Sequence, residues 1–196
     1  MFGTHWRIDR KMFRSIIKFC VIMALSLSLP SFVPPNECAA AEKTSYSASP
    51  NELWIKIDKN KLRLYLCKGN DAVLKTYPVA IGRGVGTKKS RTDLITPTGL
   101  FKIWRVVEDA TQLVYDPKWF GEPGEPQKGA YGAKLISFYN PWQIAIHGTN
   151  ASSSIGKRVT HGCVRLRNKD IVDLTSHVKP GMRLLIVEKS VEKDAI

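Results

Sequence analysis

The sequence predicts a mainly β fold, a sandwich or barrel of short mixed strands with one helix near the C-terminal end. Three observations predict it: short segments of alternating apolar and polar residues recur from Leu53 onward, turn residues bound them, and only one stretch has helical periodicity. Aliphatic residues with scattered aromatic ones fill these segments, as is typical of a half-buried sheet. The predicted strands are Leu53–Asp58, Lys61–Cys67, Ala72–Ile81, Gly99–Val107, Ala133–Phe138, Trp142–His147 and Met182–Glu188.

The first strands are predicted to form a meander, because the segments 58–61 (Asp-Lys-Asn-Lys) and 68–71 (Lys-Gly-Asn-Asp) are rich in turn-forming residues. In the strand between these turns, Cys67 falls on the opposite face from Leu64 and Leu66. We therefore predict a structural role for Cys67, since a free cysteine usually behaves as a small hydrophobic residue.

Two segments lack strand periodicity and are predicted to be loops. Gly82–Pro97 is rich in glycine and basic residues, and Glu108–Ala130 contains several prolines and glycines with the aromatic residues Tyr115, Trp119 and Phe120. A loop as long as the second is usually functional in a compact domain. Its aromatic residues predict a lid or substrate wall, with a cap over the hydrophobic end of the barrel as the alternative.

A single helix is predicted after Arg167. Asn168 is the predicted N-cap, and Pro180 with Gly181 ends the helix. His177 falls near the end of this segment, and we assign it a structural role. The apolar stripe of the helix consists of Ile171, Val172, Leu174 and Val178.

The candidate chemistry lies in the sequence Thr160-His161-Gly162-Cys163 and in His147, which ends an apolar strand. A cysteine thiolate can attack a carbonyl carbon, and a nearby imidazole can generate the thiolate by accepting the thiol proton. These residues therefore suit acyl transfer. Gly162 permits a tight turn, and the backbone N–H of Cys163, with that of Gly162 or His161, is a candidate oxyanion hole. We expect a neighbouring imidazole or cation to lower the pKa of the Cys163 thiol.

Metal binding and redox chemistry are the competing interpretations. His147, His161 and Cys163 are three potential zinc ligands, but no paired-cysteine or His-Glu-x-x-His pattern accompanies them. A redox cysteine would need a resolving partner at close spacing, and none is present. We therefore predict neither a metal nor a cofactor.

The segment from His147 through Thr160-His161-Gly162-Cys163-Val164-Arg165 resembles the signature of the L,D-transpeptidase catalytic domain, also called the YkuD domain, of the Gram-negative type. Thr96-Pro97-Thr98-Gly99-x-Phe101 resembles the second characteristic stretch of that family, and the similarity covers residues 52–188. The resemblance implies a capped β-sandwich with the cysteine at one end of a groove.

The resemblance also implies roles for individual residues. Cys163 would be the nucleophile, His147 the proton donor and acceptor, and His161 an orienting or stabilising group. Gly162 would supply a backbone oxyanion donor, and Arg165, two residues beyond Cys163, would bind a substrate carboxylate or the oxyanion. The expected substrate-binding residues are Arg165, Thr160, Gly148, Trp119, Phe120 and Tyr131.

By the same resemblance, the expected activity is that of a cell-wall enzyme without a cofactor. Cys163 would attack the bond between diaminopimelate (position three) and D-alanine (position four) of a tetrapeptide stem, release D-alanine and pass the acyl group to an amine. The amine would belong to another stem, giving a 3→3 crosslink, or to a lysine of an outer-membrane lipoprotein. Carbapenems would acylate the cysteine.

Two alternatives stay open from the sequence. With water as acceptor, the same residues would make an L,D-carboxypeptidase or cysteine hydrolase of wall peptides. A non-catalytic wall-binding protein would use only the cationic surface, and the intact pair of cysteine and histidine argues against it.

The N-terminal residues predict export to the periplasm or cell envelope. Residues 1–41 combine a basic region, a short apolar run at 20–33 and Ala39-Ala40-Ala41, which is typical of a signal peptide, with a retained anchor as the alternative. A spacer (42–51), the catalytic domain (52–188) and a tail (189–196) would follow, with no stable membrane span after cleavage. Without residues 1–41 the net charge falls from +13 to +10, which in that compartment favours anionic wall polymers and peptidoglycan stem peptides over nucleic acid.

Overall fold

Eight of the twelve strands form one mixed sheet. The computed structural model describes residues 46–70 and 72–188, so the predicted signal peptide, the start of the spacer and the tail lie outside the described residues. The strands are β1 (Leu53–Asp58), β2 (Arg63–Lys68), β3 (Ala72–Pro78), β4 (Ile81–Gly82), β5 (Gly99–Val107), β6 (Val114–Tyr115), β7 (Gln127–Lys128), β8 (Leu135–Phe138), β9 (Ala145–His147), β10 (Arg158–Thr160), β11 (Val164–Arg165) and β12 (Arg183–Val187). The α-helix α1 spans Asn168–Thr175, and short 3₁₀ helices span Pro117–Phe120 and Ser152–Ser154.

The large sheet has the order β11-β9-β8-β5-β12-β1-β2-β3, and two further pairs, β10-β4 and β6-β7, stand beside it. Its pairing is mixed, because β1 runs parallel to β12 and β11 runs parallel to β9, whereas the other neighbours in this sheet are antiparallel. The prediction of a mainly β fold with one helix is confirmed. None of the described helices is long and apolar enough to cross a membrane.

Alternation along the strands separates two hydrophobic clusters. Leu64 and Leu66 belong to the main core, into which Ile171 and Leu174 of α1 also pack. Cys67 belongs to a second cluster with Trp54 and neighbouring residues. The prediction that Cys67 faces away from Leu64 and Leu66 is therefore confirmed, and burial raises the pKa of its thiol to about 11. Cys67 and Cys163 are both free thiols.

Strand ends differ from the prediction where the backbone turns. β2 begins at Arg63 rather than Lys61, because Leu62 has a left-handed φ of 52° and the Asp58 carboxylate accepts the Lys61 N–H. β9 begins only at Ala145, because Gln143 has a φ of 59°. The long loop 108–130 is more ordered than predicted, since it contains β6, a 3₁₀ helix and β7.

The predicted N-cap of the helix is wrong. Arg167 occupies the cap position without a side-chain hydrogen bond, and Asn168 is the first helical residue. The Asn168 Oδ1 instead accepts the backbone N–H groups of Ala133 and Thr149, each at 3.0 Å. Its side chain therefore ties the helix to the loops on either side of β8 and β9. His177 lies beyond the end of the helix rather than within it.

Candidate active site

Two short neighbouring strands position the predicted nucleophile and base. β11 pairs in parallel with β9, and the register places Arg165 opposite His147 and Val164 opposite Ile146. Opposed residues share a face of the sheet, and residues two apart on a strand share it as well. Arg165 and His147 therefore lie on one side. Cys163 directly precedes β11, and the backbone N–H of Ala145 donates a hydrogen bond to its sulphur.

These residues line a cavity of about 200 Å³. Seven of the ten predicted site residues contribute to its wall: Cys163, His147, His161, Thr160, Arg165, Phe120 and Tyr131. Gly148, Gly162 and Trp119 are not part of this lining. The remaining wall consists of Tyr115, which was predicted to belong to the aromatic lid or substrate wall, and of Gln127, Ala130, Asn150 and Ala151, which the sequence did not single out as ligand contacts.

The turn before Cys163 is fixed by hydroxyl groups. Thr160 Oγ1 donates to the Cys163 carbonyl at 2.6 Å and accepts the Gly162 N–H at 3.1 Å. Gly162 has a φ of 125°, and a Cβ on it would approach the Ile95 carbonyl to 2.8 Å, so only glycine fits. The Gly162 N–H, which is expected to be a backbone oxyanion donor, is bonded to Thr160 in this structure.

A second threonine supports the same turn from the opposite direction. Thr96, in the Thr-Pro-Thr-Gly stretch, is fully buried. Its hydroxyl donates to the Gly162 carbonyl and accepts the Gly82 N–H, each at 2.8 Å. The two segments that carry the sequence signature are therefore joined by one hydroxyl group next to the nucleophile.

His147 is held by backbone carbonyls. Its Nδ1 lies 2.5 Å from the Gly148 oxygen, and because a carbonyl only accepts, this contact places the proton on Nδ1. The Tyr131 carbonyl also bonds to the ring, and the Tyr131 ring meets the imidazole edge-on at 5.0 Å between centroids. Burial, and then the Arg165 charge, lower the pKa of His147 to about 4, so the imidazole is neutral.

The Cys163 thiol is also neutral at pH 7. Burial raises its pKa, and the Ala145 N–H and the charges of Arg165, Lys88 and Arg91 oppose that shift without overcoming it. The neighbouring charges lower the thiol pKa as expected, but the net shift is upward, because desolvation of the thiolate is the larger effect.

Aromatic residues of the loop 108–130 cover His161. The Phe120 ring stacks on the His161 imidazole at 4.4 Å between centroids, and the Tyr115 hydroxyl lies 3.3 Å from its Nδ1. These rings belong to no hydrophobic core cluster of the described residues, which favours the wall or lid over a cap on the core. Trp119 lies on the outer side, 46% exposed and 5.8 Å from the Arg91 guanidinium.

Glu122 fastens this loop, and sequence reasoning missed it. Its carboxylate lies 2.9 Å from His161 Nε2 and also pairs with Arg83. The hydrogen bonds from His161 and Arg83 hold the pKa of Glu122 below its usual value. A lone glutamate between glycine and proline carries no sequence signal for this contact.

Gly148 has a structural position rather than a place in the cavity wall. A Cβ on it would lie 2.3 Å from the Asn168 oxygen and 3.0 Å from the Ala133 nitrogen. Glycine at this position therefore lets the turn after His147 approach the helix, and its carbonyl is free to bond to His147.

Arg165 reaches the cavity with part of its guanidinium unused. One terminal nitrogen lies 3.3 Å from the Ser154 hydroxyl, whereas within the described segments its buried Nε has no hydrogen-bond partner. Burial lowers the pKa of Arg165, yet an arginine remains charged at neutral pH. Across residues 46–70 and 72–188, no group of three or more His, Cys, Asp or Glu side chains is close enough to hold a metal ion.

Comparison with known proteins assigns the family. The sequence model of the YkuD family, the L,D-transpeptidase catalytic domain, matches residues 52–187, and the chain belongs to this family. It is 54% identical over 146 residues to the probable L,D-transpeptidase YbiS of Escherichia coli (strain K12), covering 70% of this chain and 45% of YbiS. It is 35% identical over 137 residues to YkuD of Bacillus subtilis (strain 168), covering 70% of this chain and 66% of YkuD. The chain thus matches less than two thirds of the length of either relative.

Solved structures share the fold at lower identity. The L,D-transpeptidase LdtMt1, solved in complex with imipenem, matches with a TM-score of 0.53 and 22% identity, over 70% of this chain and 59% of that one. Bd1075 of Bdellovibrio bacteriovorus matches with a TM-score of 0.52 and 22% identity, over 76% of this chain and 54% of that one. The described architecture is therefore the fold of L,D-transpeptidase catalytic domains.

Proposed function

We propose that this chain is a cysteine-dependent L,D-transpeptidase of the cell envelope that acts on tetrapeptide stems of peptidoglycan. The observation that carries the proposal is that Cys163, His147 and Arg165, which lie on the paired strands β9 and β11 or directly before β11, line one cavity. Membership of the family supports the reaction class. Export, with cleavage of residues 1–41, would deliver the enzyme to its substrate.

The first half of the reaction forms a thioester. His147 accepts the thiol proton as the Cys163 sulphur attacks the diaminopimelate carbonyl. The oxygen of the tetrahedral intermediate needs donors, and we assign this role to the backbone N–H of Cys163 or His161, since that of Gly162 is bonded to Thr160. His147 then gives the proton to the D-alanine nitrogen, the amide bond breaks, and D-alanine leaves.

The second half transfers the acyl group. The amine of a second stem, or of a lipoprotein lysine, attacks the thioester while His147 accepts its proton. The C–S bond then breaks, and the proton returns to the Cys163 sulphur. Arg165 is suited to a substrate carboxylate, because its buried Nε has no partner among the described residues. Phe120, Tyr131 and Tyr115 provide the apolar wall.

Product analysis with a purified disaccharide-tetrapeptide tests the proposal. We expect the full chain to release D-alanine and form crosslinked dimers, and Cys163→Ala to form none. Cys67→Ala is the matched control, because Cys67 lies in a separate core cluster and should leave product formation unchanged. Dimer formation by the Cys163→Ala variant would contradict the nucleophile assignment, and tripeptide without dimer would favour the hydrolase.

Covalent labelling gives an independent test of the nucleophile. We expect meropenem to add its mass to the full chain and to the Cys67→Ala variant. The Cys163→Ala variant should show no adduct in an intact mass spectrum. An adduct that persists without Cys163 would refute the assignment.

A further inference from the structure

A second cleft of about 330 Å³ lies away from the candidate active site. It is formed where β5 and β8 meet the turn that leads into β9. Its lining consists of Trp104, Ser137, Phe138, Tyr139, Asn140, Gln143 and Ile144. Its volume falls within the range of small-ligand sites, about 300–1,000 Å³, and the combination of aromatic rings with a few polar groups is typical of them.

Two of the three aromatic residues of this cleft are exposed, whereas the third, Phe138, belongs to the main core. Trp104 is 49% and Tyr139 is 61% exposed, and neither belongs to a hydrophobic core cluster of the described residues. Their ring centroids lie 6.3 Å apart at an interplanar angle of 44°. The Arg105 guanidinium lies 4.5 Å from the Trp104 ring centroid. Neighbouring exposed rings of this kind mark a surface that binds a partner more often than one that stabilises the fold.

The turn beside these rings is strained where it faces the cleft. Gln143 has a φ of 59°, a left-handed conformation that is unfavourable for a residue other than glycine. Asn140 holds the turn, because its side chain bonds to the backbone of Phe138, Trp142 and Ile144. Gln143 is exposed in the cleft wall. Strain retained at the wall of a cavity is typical of a binding site.

We propose that this cleft binds the amino-sugar strand of the wall polymer, with N-acetylhexosamine units lying against Trp104 and Tyr139. The proposal rests on the proposed function, since stem peptides are attached to such a strand. The apolar C–H face of a sugar ring matches an aromatic surface, and its hydroxyl and acetamido groups match the Gln143 amide and the Ser137 hydroxyl. None of the lining residues has a charged side chain, which suits an uncharged sugar, and the Arg105 guanidinium lies against the Trp104 ring without being part of the lining.

The cleft is connected to the nucleophile by adjacent residues. Ile144 forms part of its wall, and Ile144 Cδ1 approaches Gly162 so closely that a Cβ there would lie at 2.8 Å. The next residue, Ala145, donates its N–H to the Cys163 sulphur. A glycan held in the cleft therefore keeps its stem peptide close to the active site and raises the local concentration of the acyl donor.

Calorimetric titration of the full chain with a tetramer of β-1,4-linked N-acetylglucosamine tests this site. We expect saturable binding that Trp104→Ala and Tyr139→Ala each weaken by about tenfold, and that Trp104→Phe largely retains. Leu74→Ala is the matched control, because Leu74 is 50% exposed on β3 at the far end of the sheet, and it should bind as the unaltered chain does. Equal binding by all variants, or none by the unaltered chain, would overturn the proposal.

Kinetics separate this proposal from the proposed function. Trp104→Ala should raise KM for a glycan-linked tetrapeptide at unchanged kcat, and it should leave KM for the sugar-free tetrapeptide unchanged. Cys163→Ala should abolish transfer and still bind the sugar. A KM increase on the sugar-free peptide as well would identify a peptide site and overturn the sugar assignment. If the unaltered chain associates with itself in a concentration-dependent way and Trp104→Ala does not, with sugar binding unchanged, the occupant of the cleft is a second copy of the chain. That result would also overturn the sugar assignment.

Discussion

Replacing Thr96 with valine tests how the turn of the nucleophile is held. Valine keeps the shape of the side chain and removes the hydroxyl that joins the Gly82 N–H to the Gly162 carbonyl. Both bonds are buried, so the substitution leaves two backbone groups without partners and out of reach of water. At about 1–3 kcal/mol for each unsatisfied group, we expect the free energy of unfolding to fall by about 2–6 kcal/mol.

Thr96→Ser is the matched control. It keeps the hydroxyl and removes one methyl group, which costs about 1 kcal/mol. Urea unfolding monitored by tryptophan fluorescence measures both variants against the unaltered chain. If valine destabilises the protein no more than serine does, the hydroxyl bridge does not stabilise the fold and the reasoning fails.

The bridge also predicts an effect on the reaction. The Gly162 carbonyl belongs to the peptide whose N–H is that of Cys163, one of the two assigned oxyanion donors. Thr96→Val should therefore lower kcat for D-alanine release under conditions in which it is still folded, whereas Thr96→Ser should largely retain it. An unchanged kcat in a folded Thr96→Val variant would separate this peptide from the oxyanion site.

Three further outcomes follow from other contacts. Asn168→Ala should lower the free energy of unfolding by about 1–2 kcal/mol, because two backbone donors lose their acceptor. Asn168→Asp keeps an acceptor oxygen and should not lower it, so equal losses of the two variants in urea unfolding would count against the contact. The pKa of His147 is about 4 in the folded chain and 6.5 when unperturbed, so as the pH is lowered the unfolded chain binds this proton first. The free energy of unfolding should therefore fall between pH 6.5 and pH 4, and the slope should be smaller in His147→Gln. Equal slopes would show that His147 is not buried in the neutral form. Glu122→Gln should raise KM by freeing His161 and Arg83 while changing unfolding by less than about 1 kcal/mol; an unchanged KM would show that the contact does not position the loop.

Long strands were predictable from the sequence, and the shortest were not. The observed bounds of β1 and β5 coincide with the predicted ones, because alternation over six or more residues reports which face is buried. β10 and β11 are too short to show an alternating pattern of apolar and polar residues. They form because their backbones pair with those at Ile81 and Ile146, which lie in other segments of the sequence. The two strands that carry the sequence signature were therefore visible as a motif and not as secondary structure.

The site shows the same division between local and tertiary information. The spacing of cysteine and histidine identified residues that do share a cavity. Asn168 was assigned to a helix cap, because asparagine before an apolar stripe is common there, yet its oxygen serves the loops at Ala133 and Thr149. Glu122 was missed since its partners, Arg83 and His161, lie in other segments. The net rise of the thiol pKa was not predicted, because neighbouring charges can be read from a sequence and burial cannot.

The neutral pair of Cys163 and His147 gives Arg165 a specific consequence for the proposed reaction. The Arg165 charge favours the thiolate and disfavours the imidazolium, since it lowers the pKa of both groups. The Arg165 charge therefore assists the loss of the proton by Cys163 and opposes its uptake by His147. A substrate carboxylate bound to Arg165 would weaken both effects, so the support of the thiolate would fall together with the opposition to the imidazolium. Because the two effects on this proton transfer have opposite signs, Arg165 is suited to positioning the substrate carboxylate rather than to activating the nucleophile.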